Sequence, residues 1–296
     1  MRLKGYILAA VSAITYGLIP LFILPIKAIN FPMETTLFYR FAISCLFVLV
    51  YLLFKKENFK LKLKELVITL ILGLLYGLSA DCLFIGYDLL TPGIASTILF
   101  VYPVFVAIML WIFFKEKLSK STFIAIAITL LGVFVLSMKD NSFKINLLGL
   151  GVSILSALCY ATYMLIVNKS KIEISGIVVT FYSMLFTAIY YLCKAFYNDI
   201  SIIAPTDILF DLTIFALVTT VLSITCLIYA IQLIGSTPTA IMGAIEPIVA
   251  VLISVILFNE KLTLSLSLGV IFIIIGVVLN IISDAKIAKR STQIQT

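Results

Sequence analysis

The stretch VYPVFVAIMLWIFFKEKLS, Val101–Ser119, returns in altered form 144 residues later as IEPIVAVLISVILFNEKLT, Ile245–Thr263. Under that one shift Pro103 meets Pro247, Glu116 meets Glu260 and Lys117 meets Lys261. Further matches lie outside the block. Leu3, Gly5, Ser12, Ala13, Tyr16 and Leu21 align with Leu147, Gly149, Ser156, Ala157, Tyr160 and Leu165. Ser79 and Cys82 align with Ser223 and Cys226, and Gly132 with Gly276. The chain reads as one unit written twice, 1–140 and 141–296, the second ending in a short basic tail. The second and third helices of the two copies have diverged furthest.

Composition sets the class. The 296 residues are 63% hydrophobic and 12% charged, with a mean hydropathy of +1.23. Soluble domains carry roughly 25% charged residues. Apolar runs of bilayer length recur from end to end, and helices satisfy their own backbone polar groups in lipid. The fold class expected is all-α and integral to the membrane, with spans near 4–26, 35–54, 65–89, 93–114, 120–138, 147–168, 175–197, 207–233, 238–258 and 264–284. The first run is too long for a signal-peptide core and is expected to be retained.

Five spans per copy is an odd number, so the second copy enters the membrane from the opposite side. Inverted repeats of this kind characterise secondary transporters. With the N-terminus in the cytoplasm, Lys and Arg divide 15 to 5 in favour of that side, leaving out Arg40 within a span. The bias places both termini inside a cell membrane. The net charge of +7 therefore reads as topology and lipid contact, and nucleic acid is not expected as a partner. The five cysteines lie in spans without a CxxC pair, and the chain has no histidine. No Walker loop, metal-ligand cluster or Ser/His/Asp set is present, so neither an enzyme nor a cofactor is expected.

The sequence resembles the drug/metabolite transporter superfamily, in its ten-helix EamA-type branch. The resemblance rests on GYILAAVSAITYG at Gly5–Gly17, on FYRFAISCLF at Phe38–Phe47, and on the two Pro-x12-Glu-Lys-Leu blocks, each followed by a helix containing Gly132 or Gly276. It implies ten helices around a central cavity formed by both halves. It also implies export or uptake of small organic solutes such as amino acids. An arginine near the start of the second helix matches the family's usual pattern.

Charges inside a span cost about 2.5–3.5 kcal/mol on insertion scales, so they are the first candidates for function. Arg40, Asp81 and Glu246 qualify. Arg40 either snorkels to the headgroups or faces the cavity. Gly73, Gly77 and Asp81 share one helix face, which points Asp81 toward protein, and a direct pair with Arg40 is expected. Glu246 then has no basic partner. It is a candidate for proton coupling or for binding an amine-bearing solute. Thr239, Gly243, Glu246 and Ala250 form a stripe of small residues around it.

Pro103 and Pro247 interrupt the fourth and ninth helices near their middles, clashing with Leu99 and Gly243. A kink frees a carbonyl that lipid cannot satisfy, which places both helices beside the path. Tyr102, which precedes Pro103 where Glu246 precedes Pro247, is a further candidate. Tyr76, Tyr87 and Tyr229 are equally compatible with interface belts. Pro20 and Pro25 have no counterparts in the second copy and carry less weight. Ser119 and Thr263 are expected as helix N-caps, with Glu116 and Glu260 as boundary residues.

These readings converge on a secondary transporter, proton-coupled or exchanging, with helices 3, 4, 8 and 9 around the path. An uncoupled facilitator is the alternative in the same class, and a lipid scramblase or membrane enzyme the alternative outside it. The expected partners are a small-molecule substrate, protons and membrane lipids, with the protein a monomer or homodimer.

Overall fold

The computed structural model describes residues 2–115, 119–136, 138–139, 142–143, 145–170, 174–234 and 236–295. The boundary residues Glu116 and Lys117 lie outside the described residues. Helix 1 runs Arg2–Gly17 and then Ile19–Ala28, helix 2 Met33–Lys55 and helix 3 Leu63–Leu89. Helix 4 is Pro92–Leu99 followed by Tyr102–Phe114, and helix 5 is Lys120–Leu136. A two-residue ladder, Met138–Lys139 with Ser142–Phe143, leads to helix 6, Leu147–Lys169. Helix 7 is Gly176–Tyr197. Helix 8 joins Thr206–Ala216 to Ser223–Ile234 through a π-helical segment, Leu217–Leu222. Helix 9 is Ser236–Met242 and Ile245–Leu257, and helix 10 is Leu264–Gln295. Nine spans among the described residues are long and apolar enough to cross a bilayer, and the 17-residue apolar helix 5 makes the tenth.

Proline explains the three breaks. Pro20, Pro103 and Pro247 each sit in the first turn after an interruption, where the missing N–H does no harm. The expected caps are present as well. Ser119 Oγ accepts the Thr122 N–H at 3.0 Å, and Thr263 Oγ1 accepts the Leu266 N–H at 3.1 Å. All five cysteines are free thiols.

The packing carries the 144-residue offset into three dimensions. Ser79 Oγ donates to the Ser156 carbonyl at 2.9 Å, and Ser156 Oγ to that of Ser79 at 2.6 Å, joining helices 3 and 6. The residues at the equivalent positions, Ser12 and Ser223, join helices 1 and 8, with Ser223 Oγ on the Ser12 carbonyl at 3.0 Å. Gly5 packs against Leu233 and Ile234, and Gly149 against Leu89 and Leu90, again the same contact twice. Each half thus lays its first helix against the third helix of the other half, as an inverted repeat requires.

Two apolar clusters fill the interior. One, centred on Ile23, Leu37, Phe41, Phe84, Tyr191 and Phe215, joins helices 1, 2, 3, 7 and 8. The other joins helices 4, 5, 9 and 10 through Val104, Leu136, Val251, Ile273 and Val277. Helices 5 and 10 approach most closely at Gly132, Gly269 and Gly276. A Cβ on Gly276 would collide with Thr129 Oγ1 and stand 2.8 Å from the Ala125 carbonyl oxygen. Backbone cannot yield as a flexible side chain does. Gly276→Ala is therefore expected to destabilise the protein by about 1–3 kcal/mol, the usual range for overpacking. The midpoint of thermal unfolding in detergent measures it, with Gly151→Ala, whose Cβ meets nothing within 4 Å, as the silent control.

Candidate functional site

The broken helices meet at Glu246. The interruption of helix 9 at Gly243–Ala244 sets Glu246 in the first turn of Ile245–Leu257, with its N–H on the Gly243 carbonyl at 2.9 Å. Helix 1 approaches this turn at Gly17. A Cβ there would stand 2.7 Å from the Glu246 carbonyl oxygen, so only glycine lets the two backbones come this close. Around the half-buried carboxyl lie Tyr16 and Pro20 of helix 1, Leu83 and Tyr87 of helix 3, and Ser96 and Leu99 of helix 4. They enclose a cavity of about 10 Å³, room for a single water at most. Glu246 makes no ion pair among the described residues.

A cluster of tyrosines fills the space beside it. The Tyr16 and Tyr76 hydroxyls stand 3.4 Å apart. Tyr76 packs on Tyr160 and Tyr163 at 6.0 and 5.6 Å between ring centroids, and Tyr102 meets Tyr160 edge-on at 4.7 Å. Tyr16 also lines the cavity at Glu246. Tyr16 and Tyr160 occupy equivalent positions in the two halves, so the duplicated first helix supplies a ring from each side. Tyr102 thus stands in the cluster, and the proline-broken helices 4 and 9 line the cavity. Helix 1 lines it too, where helix 8 was expected. The signal for helix 1 was Gly17 three residues before Pro20.

Arg40 is buried, at 3% exposure. Its Nε donates to Thr220 Oγ1 at 3.1 Å, on the π-helical segment of helix 8. That segment carries one extra residue in its turn, a distortion common at functional sites. The guanidinium lies over the rings of Phe215 and Phe41, at 4.8 and 5.4 Å from their centroids. Among the described residues its Nη2 has no hydrogen-bond partner. Arg40 therefore does not snorkel.

The expected Arg40–Asp81 ion pair is not formed. Asp81 pairs with Lys194 Nζ at 2.9 Å and accepts the Tyr190 hydroxyl at 2.7 Å. The glycine face was read correctly as a protein-facing one, but the helix it faces is helix 7. Gly73 abuts Ser183 and Phe186, and Gly77 abuts Tyr190. Lys194 sits one turn from the end of helix 7 and reaches back to Asp81. This pair clamps helix 3 to helix 7 and leaves Arg40 uncommitted. Asp81→Asn, which leaves the Lys194 ammonium only its longer contact with Glu34 at 3.9 Å, is expected to lower stability by about 1–2 kcal/mol, less than a fully buried pair because both side chains keep some solvent. Adding Lys194→Met should restore most of the loss. Thermal unfolding of the single and double variants reads both effects.

Glu260 is more than a boundary residue. It lies in the loop between helices 9 and 10 and accepts the hydroxyl of Thr91, at the junction of helices 3 and 4, so it ties the second half to the first. Its buried Oε2 rests against Gly93. Beside it a cavity of about 550 Å³ opens among the ends of six helices. Burial raises the Glu260 carboxyl above its ordinary value of 4.5, outweighing the hydrogen bond from Thr91 that lowers it. A raised carboxyl holds its proton better folded than unfolded. Its contribution to stability is complete below the ordinary value and is lost as pH rises through the folded-state one. Wild-type unfolding temperature should thus fall with pH above 4.5 relative to Glu260→Gln. A constant difference between the two proteins contradicts this.

Two family matches cover the chain. Residues 3–138 and residues 147–282 each match the model of the EamA-like transporter family. The chain belongs to that family. The similar curated proteins carry transporter names without assigned substrates. An uncharacterized transporter of Synechocystis, sll1319, is 28% identical over 197 residues, 64% of this chain and 59% of its own length. The chain thus spans about three-fifths of that relative. The uncharacterized transporter YvbV of Bacillus subtilis is 26% identical over 235 residues, 74% of this chain and 73% of its own. A protein of known crystal structure superposes with a TM-score of 0.67 at 14% identity, covering 94% of this chain and 96% of the other, which shows the fold alone. As an EamA-like transporter the protein is a multi-pass membrane protein and not an enzyme. Its two family units are the two halves whose contacts repeat at Ser12–Ser223 and Ser79–Ser156.

Proposed function

We propose that this EamA-like transporter carries a small organic solute with an amine group across the cell membrane by alternating access, coupled through Glu246 to protons or to a counter-solute. One observation carries the reading. A carboxyl without an ionic partner among the described residues lines a small cavity at the meeting point of three proline-broken helices. A carboxylate held there, away from bulk water, attracts a cation strongly, because charges interact more strongly in a low-dielectric site. The cation is either a proton or the ammonium of a solute. Competition of the two for one carboxyl is the simplest form of coupling.

The inverted arrangement supplies the movement. Exchange of conformations between the two halves opens the cavity to alternate faces, and the breaks at Leu18, Val101 and Ala244 are where the helices bend. The 15-to-5 division of basic residues supports cytoplasmic termini. Arg40, held from helix 2 by Thr220 of helix 8, is the cation offered to any electron-rich part of the solute.

Thermal unfolding of the purified protein against primary amines and their uncharged isosteres tests the reading. Stabilisation by the amine alone, absent in Glu246→Gln, is the expected result. Equal stabilisation by amine and isostere contradicts a carboxylate-centred site.

A further inference from the structure

A third cavity, of about 310 Å³, lies on the membrane-facing surface between helices 2, 7 and 8. Phe47, Tyr51 and Phe54 form one wall, Val221, Ile224 and Tyr229 the other. We propose that this groove is a binding site for one acyl chain of an anionic phospholipid whose headgroup sits on Lys55 and Lys56.

Three features choose this occupant. The groove offers an alkyl chain and nothing for a polar solute to bond. Thr225, the polar residue along its length, already donates its hydroxyl to the Val221 carbonyl at 2.7 Å. The groove also has the length of one leaflet. Phe47 to Phe54 rises roughly 10 Å and Val221 to Tyr229 roughly 12 Å, against roughly 15 Å for half a hydrocarbon core. Its mouth has the chemistry of a headgroup layer. Tyr51 and Tyr229 line it from the two sides, and tyrosine is the residue of membrane interfaces. Directly beyond Phe54 the chain carries exposed Lys55, Lys56 and Lys60, with Glu57 the one acid among them. Basic residues beside a membrane attract anionic headgroups at about 1 kcal/mol each.

The groove also touches the central site. Val221 belongs to the π-helical segment, and Thr220, the next residue inward, holds Arg40. A chain seated in the groove therefore leans on the segment that positions the guanidinium.

The test uses the full-length protein in nanodiscs of phosphatidylglycerol and phosphatidylcholine at equal mole fraction. A trace of phosphatidylglycerol bearing a photoreactive acyl chain is crosslinked, and the labelled peptides are mapped. Labelling concentrated at residues 221–229 and 47–54 is expected, together with retention of phosphatidylglycerol over phosphatidylcholine in native mass spectrometry. Lys55→Gln with Lys56→Gln should cut that preference several-fold, and Ile224→Trp, which fills the groove, should remove the label. Labelling spread evenly over the lipid-facing helices in the wild type, or equal retention of the two lipids, overturns the proposal. So does a label that persists in Ile224→Trp.

Discussion

Replacing Glu246 with glutamine is expected to abolish solute-driven proton movement while the protein still folds. Glutamine keeps the shape and can still accept a hydrogen bond, but it cannot carry a negative charge or release a proton. In proteoliposomes loaded with a pH-sensitive dye, wild-type protein should acidify or alkalinise the lumen when the solute is added outside. The variant should not. Loss of a charge-assisted contact costs about 1.5–3 kcal/mol, so amine affinity should fall by about 10- to 100-fold. The unfolding temperature should stay or rise, because a half-buried carboxylate without an ionic partner is itself a burden. Full proton movement in Glu246→Gln contradicts the assignment.

Replacing Arg40 with methionine separates function from structure even more sharply. Arg40 is buried, has no carboxylate partner among the described residues, and leaves Nη2 unsatisfied. Cation–π contact with Phe215 and Phe41 offsets part of the burial cost, at about 0.5–2 kcal/mol each. The remaining penalty for a buried cation is several kcal/mol. Arg40→Met fills a similar volume without the charge. It is expected to melt at or above the wild-type temperature and to transport at least about tenfold more slowly, one lost charged contact. That pairing of unharmed stability with lost transport marks a residue kept for the solute. A variant that unfolds early yet transports normally when folded shows that Arg40 is structural.

Much of the fold was legible because it is written twice. The Pro-x12-Glu-Lys-Leu blocks and the matched glycines need no three-dimensional information, and an odd span count dictates the inversion. Glu246 and the prolines stand out in the sequence for a similar reason, since lipid tolerates neither a charge nor a freed carbonyl without cause. Partnerships were less legible. Asp81 has a nearby cation in sequence at Arg40, yet it pairs with Lys194, which is 113 residues away. Which helix meets the Gly73–Gly77 face is decided by packing between the halves, and nothing local in helix 3 encodes it. The same holds for Glu260, whose Thr91 partner comes from the other half. Helix 1 was undervalued because Pro20 lacks a counterpart in the second copy. Asymmetry is a further guide, since Pro20 and Glu246 both depart from the repeat and both line one cavity.

The most direct test of the account is accumulation of an amine-bearing solute, identified by thermal unfolding, in proteoliposomes under an imposed pH gradient. Coupled transport predicts that the wild-type protein concentrates the solute above its external level. It also predicts that a protonophore, or the Glu246→Gln substitution, collapses the accumulation to simple equilibration. Equilibration alone in the wild type, with no response to the gradient, contradicts coupling and identifies an uncoupled facilitator.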